Sequence, residues 1–213
     1  MPGALFHPKL MPYLEALVPP RHPVLAEMEE RAQRTSFPIV GPVVGQLLYV
    51  LTRLAGARHV YEMGSGFGYS TAWFALAVRD NGGGVVHHVV WDADLSRLAR
   101  AYLQRMELLP LVRFHVSEAV AHLATMSESF DVIFNDIDKR GYPDALPVIK
   151  AHLRRGGLLL ADNVLWSGRV FDRRFRDEET EAIRRFTRKV FEDPELAATV
   201  VPLRDGVLVA YRL

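Results

Sequence analysis

The chain has 213 residues, 49% of them hydrophobic and 24% charged, enough to bury one sizeable core and within the usual span of one domain. Lysine and arginine number 26 against 25 acidic residues, and a net charge of +1 leaves no global field drawing the protein to nucleic acid or an anionic membrane. The absence of cysteine excludes disulfides, thiolate catalysis and Cys-ligated metal, so any metal must be held by oxygen or histidine.

Pro2, Pro8, Pro12, Pro19, Pro20 and Pro23 crowd the start. No uncharged apolar run reaches the roughly 18 residues of a membrane span, so a soluble, cytoplasmic protein is expected. Val24 to Arg34 and Gly45 to Leu54 have helical periodicity, the second with Leu47, Leu48, Leu51 and Leu54 on one stripe. From Arg58 onward, apolar runs of strand length cover His59 to Met63, Val85 to Trp91, Leu111 to Val116, Phe130 to Asp136 and Gly157 to Asp162. Tyr69 to Arg79, Leu95 to Met106, Ala119 to Met126 and Pro143 to Arg154 lie between them as helical crossovers, which predicts five parallel strands covered on both faces. Asn81 to Gly84 reads as a turn before the second strand.

Asp177 to Glu192 reads as a further helix, with acids crowding its start and Arg184, Arg185, Arg188 and Lys189 its end, as the macrodipole favours. Ala197 to Leu203 and Gly206 to Arg212, joined through Arg204 and Asp205, predict a closing hairpin whose last strand runs antiparallel. The expected fold is α/β: a doubly wound, mostly parallel, seven-stranded sheet with an antiparallel C-terminal hairpin. In this arrangement the chain resembles the Rossmann-like class I methyltransferases.

Chemistry begins at Glu62-Met63-Gly64-Ser65-Gly66-Phe67-Gly68-Tyr69-Ser70. Glycines at alternate positions let backbone press against a ligand, and the amides opening the next helix offer donors. The spacing is G-x-G-x-G, not the G-x-G-x-x-G of dinucleotide sites. A preceding acid, Glu62, would repel phosphate but suits a sulfonium ligand or its amino group. Asp92, ending strand two, could accept both hydroxyls of a ribose, with Asp94 expected as the cap of the next helix. Ser117-Glu118-Ala119, ending strand three, offers a polar side chain and an amide to an adenine edge. After strands four and five, Asp136 and Lys139 stand three residues apart and Asp162-Asn163 ends the adjacent strand. Oxygen ligands converging from neighbouring strand ends suit Mg²⁺ or a looser Ca²⁺ site.

With Gly45-Gln46-Leu47-Leu48, the glycine loop, Asp136-Ile137-Asp138-Lys139, Arg154-Arg155-Gly156-Gly157, Asp162 to Val170 and Asp205-Gly206, the sequence from about Phe37 onward resembles the metal-dependent catechol and caffeoyl-CoA O-methyltransferases. The resemblance implies one methyltransferase domain over 1–213, with 1–55 as an N-terminal helical cap. It implies S-adenosylmethionine surrounded by Glu62, Gly64, Ser65, Gly68, Tyr69, Ser70, Asp92, Glu118, Ala119 and Asp136. It implies a metal (Mg²⁺, or Ca²⁺ or Mn²⁺) on Asp136, Asp162 and Asn163, Lys139 as catalytic base beside Asp136, and a homodimer acting on a small phenolic substrate. Where the family commonly has Thr, Ile-Asp-Ala-Asp-Lys and Gly-Asp-Ala, this chain has Ser65, Asn135 to Lys139, and Ser117 to Ala119.

Two adjacent hydroxyls can chelate the metal, which favours loss of a proton to Lys139 before in-line attack on the sulfonium methyl. Phe37, Tyr142 and Trp166 are candidate walls for an aromatic acceptor, whose identity rests on the N-terminus and the loop Phe171 to Arg176. Arg169, Arg173, Arg174 and Arg176 raise a rival, a tRNA wobble-hydroxyuridine O-methyltransferase, although Asp172 and Asp177 interrupt the cluster. A non-catalytic nucleotide-binding protein is the farther rival. His87, His88, His115 and His122 lack ligand spacing and read as structural or exposed.

Overall fold

A computed structural model describes residues 7–213; Pro2 and the rest of the expected cap up to residue 6 lie outside the described residues. The apolar runs form strands β1 (His59–Met63), β2 (Val85–Val90), β3 (Val112–Val116), β4 (Phe130–Asn135), β5 (Leu153–Ala161), β6 (Leu196–Val201) and β7 (Val207–Arg212). They make one sheet in the order β3-β2-β1-β4-β5-β7-β6. The first five are parallel, and β7 is inserted antiparallel between β5 and β6. β5 starts at Leu153 rather than Gly157, because Leu153 pairs with Phe130 ahead of a register shift.

Alternation along each strand assigns its two faces to two layers of helices. Val60, Val86, Val132, Phe134 and Leu160 pack under α2 (Pro23–Thr35), α3 (Gly41–Leu54), α4 (Tyr69–Asp80) and α5 (Ala93–Arg105). Tyr61, Met63, Val89, Ile133 and Leu159 pack under α6 (Ala119–Thr125), α7 (Tyr142–His152) and α8 (Glu178–Glu192). α1 (Leu10–Leu17), unanticipated in the Pro-rich start, tolerates Pro12 in its first turn, where amides lack intrahelical partners anyway. Among the described residues, no helix is long and apolar enough to cross a membrane.

α3 corrects the expected leucine stripe: Leu54 is 79% exposed, and the buried line runs through Val44, Leu48 and Thr52. Apolar residues surround most of α3, so periodicity alone leaves its inward side ambiguous. Contact with α4 decides it, since a Cβ on Gly45 would lie 2.2 Å from Trp73 Nε1.

The histidines are structural, as expected. His87 bonds His115 (Nδ1 to Nε2, 3.1 Å) and stacks against Tyr61, while His88 on the opposite face bonds Thr71. Burial, with His115, His122, Arg113 and His59 nearby, pushes His87 down to about 4; burial, with His115 and Arg100, pushes His88 down to about 3. A depressed histidine contributes stability that is present above its unfolded value near 6.5 and lost as pH falls towards the folded value. Against a His87→Phe variant, the wild type should therefore lose about 3 kcal/mol between pH 7 and pH 4. Urea denaturation at both pH values checks this, and a pH-independent difference would contradict it.

Candidate functional site

β1 lies at the switch point of the sheet, between β2 and β4, where α/β folds open a crevice beyond the carboxyl ends. Backbone bonds bring those ends level. Asp136 N donates to Met63 O (3.0 Å), Asp162 N to Asn135 O (3.2 Å) and Ser117 N to Val90 O (3.1 Å). The glycine loop folds across the end of β2, with Gly64 and Ser65 amides both donating to Val89 O at 3.2 and 3.0 Å. Gly64 has φ +85°, and a Cβ there would lie 2.4 Å from Asp136 O. Only glycine lets the β1 and β4 loops touch, so the cradle and the Asp136 segment share one wall.

Beneath that loop, Glu62 is fully buried, its Oε2 receiving the Thr71 hydroxyl, which also bonds His88. Burial pushes Glu62 up to about 7, against the hydroxyls of Ser70, Thr71 and Ser65. Oε1 of Glu62 is buried without a partner among the described residues, an acceptor awaiting a cationic donor. Gly68, at φ +90°, precedes α4, whose first residues Tyr69 and Ser70 turn their amides to the crevice as a helix start does. The Tyr69 side chain faces elsewhere, donating to Glu29 Oε1 on α2 at 2.7 Å.

Two expected roles change at the next strand ends. Asp92, not Asp94, caps α5: its Oδ1 accepts the Asp94 and Leu95 amides at 2.7 and 3.0 Å, while exposed Asp94 pairs with Arg97. β2 stops at Val90, one residue short of the expected Trp91, and α5 begins at Ala93, which moves the cap position back to Asp92. Oδ2 is left for a ligand. Glu118 spends both oxygens capping α6, on Val120 N (3.0 Å) and Ala121 N (2.6 Å), which leaves Ala119 at the start of that helix beside it.

Across the shared wall lies the charged cluster. Lys139 Nζ, on a side chain 11% exposed, donates to Asp136 Oδ1 (2.7 Å), Ile137 O (3.3 Å) and the Tyr142 hydroxyl (3.0 Å). Tyr142 is fully buried, reaches the carbonyls of Asn135 (3.1 Å) and Asp162 (3.0 Å), and packs edge-on against Phe186. It is therefore a strut that aims Lys139, not an acceptor wall; its hydroxyl meets the two carbonyls only from inside the core. Burial, then Asp136, pushes Asp162 up to about 7. Enclosure also raises Asp136, whose side chain is still 26% exposed, against the pull of Lys139 and Arg204.

The sequence pairs Asp136 with Asp138, and the structure separates them: Asp138 caps the turn at Lys139–Gly141 and binds Arg140, which holds its carboxyl down to about 2. Asn163, just past the end of β5, has φ 61° and its Nδ2 lies 3.5 Å from Asp205 Oδ2. Two residues enter that sequence reasoning used otherwise. Asp205, read as a turn former, also accepts the Ser167 amide. Asn135, read as the end of a strand, is fully buried with both side-chain ends unpartnered among the described residues. No local signal marks either, since their neighbours come from distant strands.

Among the described residues, no three His, Cys, Asp or Glu groups gather as a metal cluster. The candidate donors are instead two carboxyls and amides. Asp162 Oδ1 is buried without a partner. Two raised carboxyls facing one ammonium and an orphaned oxygen are a set that a hard, oxygen-seeking dication would complete. Phe37 lies on the glycine loop, 3.2 Å from where a Gly66 Cβ would be, and edge-on to Phe67. Trp166, partly buried, is held at φ 46°.

The O-methyltransferase family matches residues 16–213. A Mycolicibacterium smegmatis protein assigned as an O-methyltransferase is 33% identical over 193 residues, covering 89% of this chain and 90% of the relative. The O-methyltransferase TomG of Streptomyces achromogenes, involved in tomaymycin synthesis and solved with S-adenosylmethionine, is 26% identical with a TM-score of 0.85 over 94% of each chain. A Bacillus cereus O-methyltransferase solved with S-adenosylhomocysteine is 27% identical with a TM-score of 0.86, over 95% of this chain and 96% of that one.

Proposed function

The chain belongs to the O-methyltransferase family, and from that membership we propose that it moves the methyl group of S-adenosylmethionine to a vicinal hydroxyl of a small catechol-like aromatic, assisted by a divalent cation. The observation that carries the reading is the Lys139 ammonium, 2.7 Å from Asp136 and beside a buried Asp162 with an unpartnered oxygen.

In this reading Glu62 Oε1 would take the donor's ammonium, Asp92 Oδ2 its ribose hydroxyls, and the amides opening α4 its polar end. Asp136, Asp162 and Asn163 would hold the cation, which when bound gathers two adjacent oxygens and favours the ionised form of one. Lys139, aimed by Tyr142, releases its own proton to solvent and as the neutral amine takes the proton of the reacting hydroxyl. The resulting oxyanion attacks the sulfonium methyl in line, so that the O–C bond forms as the S–C bond breaks and S-adenosylhomocysteine leaves. Most of the acceleration comes from holding the two reactants in line, since no bond to the protein forms.

A tRNA acceptor would need a broad basic face, and between 169 and 176 two of the four arginines are already matched by acids, Arg169 by Asp177 and Arg174 by Asp172. The small acceptor is therefore preferred.

Incubating the protein with catechol, S-adenosylmethionine and Mg²⁺ should add one methyl group by mass spectrometry, and a chelator should abolish the product. Methylation indifferent to chelator would remove the cation from the reaction. Cofactor binding without any methylated catechol would remove the acceptor class.

A further inference from the structure

Arg204 stands at the corner of the β6–β7 hairpin with φ 49°, a left-handed conformation that a side chain opposes and a glycine adopts freely. Non-glycine residues persist in such positions where surrounding structure holds them, and they gather at functional sites. Five hydrogen bonds fix this corner. Arg204 Nη1 donates to the carbonyl of Ile39, just ahead of α3, and lies 3.1 Å from where a Cβ on Gly41 would be. Asp205, next in the chain, holds the Ser167 amide and Asn163 Nδ2. Leu165 N donates to the Asp205 carbonyl at 2.8 Å and Val164 N to that of Gly206 at 3.1 Å. The corner is thus clamped to the segment that follows Asp162, and its guanidinium lies close enough to favour the charged forms of both Asp136 and Asp162.

Arg21, Arg105, Arg154 and Arg174 each have a carboxylate partner, whereas Arg204 has none among the described residues. A guanidinium has five N–H donors, and the Ile39 carbonyl occupies only one direction. With the proposed dication offsetting Asp136 and Asp162, Arg204 is a surplus positive charge at the rim that would draw an acceptor bearing its own negative charge. Arginine's planar fork meets a carboxylate through two parallel bonds, which a flexible ammonium does not.

We infer that Arg204 binds a carboxylate carried by the methyl acceptor, and that the acceptor is an aromatic acid rather than a neutral catechol. The inference rests on the O-methyltransferase reading above, and it assigns the charge of the substrate to one exposed side chain at the rim of the site.

The test compares 3,4-dihydroxybenzoate with catechol, which lacks the carboxylate, in the wild type and in Arg204→Gly. The variant takes the corner conformation without strain, so its melting temperature should not fall. In the wild type, kcat/KM should favour the acid about tenfold or more, mainly through KM, and Arg204→Gly should collapse that preference to near unity. Calorimetric binding of dihydroxybenzoate to the protein loaded with S-adenosylhomocysteine and Mg²⁺ should weaken by a similar factor in the variant. Equal preference in the two proteins, or none in the wild type, overturns the inference and leaves the methyltransferase reading intact. If neither acceptor is methylated, that reading fails instead, and the binding comparison alone decides on Arg204: undiminished binding in the variant overturns its role.

Discussion

Replacing Lys139 with methionine should lower the methylation rate about a thousandfold while leaving S-adenosylmethionine binding intact. Methionine keeps the length of the side chain and removes the amine that donates to Asp136, Ile137 and Tyr142. The proposed donor cradle is built from other elements, around Glu62, the glycine loop and Asp92, and meets the Lys139 segment at Gly64. A general base acts on the proton of the acceptor, so its loss falls on kcat. Single-turnover methylation with cofactor titration in parallel separates the two. Undiminished turnover would remove Lys139 as the base, and a parallel loss of cofactor affinity would make its role structural.

Asp162→Asn should move activity and stability in opposite directions. As a proposed cation ligand, Asp162 cannot lose its charge without loss of activity, and catechol methylation should fall about a hundredfold or more. As a buried carboxyl beside Asp136, pushed up to about 7, it costs the cation-free fold. A carboxyl whose folded value lies above its unfolded value near 3.9 contributes most at low pH, and that contribution is lost as pH rises through 7. The amide never ionises, so without Mg²⁺ at pH 8 the variant should be more stable by about 1–3 kcal/mol. Adding Mg²⁺ should raise the melting temperature of the wild type and leave the variant unmoved. A variant that is both inactive and destabilised at pH 8 would assign Asp162 to the scaffold.

The sheet was legible because its strands are buried on both faces and therefore read as apolar runs, while the helices between them carry their own period. β1 ends at Met63 as expected, and the hairpin is where Asp205-Gly206 signals it. What sequence could not decide was set by contacts across the fold. The inward side of α3 follows from Gly45 meeting Trp73, and two aspartates two residues apart offer equal caps until the end of β2 is known. Asp136, Lys139 and Asp162 could be picked out because charged groups at the end of an apolar strand are otherwise hard to explain. Tyr142 stayed open between wall and packing because an aromatic beside a charged cluster looks the same in sequence whether it faces a ligand or the core, and its full burial settles it as packing. Asp205 and Arg204 act on residues far behind them in the chain, and no local spacing announces that.

β7 lies between β5 and β6, so the centre of the sheet's second half is supplied by a strand that is made after both of its neighbours. The corner that clamps Asn163 and Ser167 comes just before it. The glycine loop between β1 and β2 therefore leaves the ribosome well before that corner exists. The two proposed sides of the site are thus made at different times, and it is the pairing of β7 with β5 that brings the later one into place.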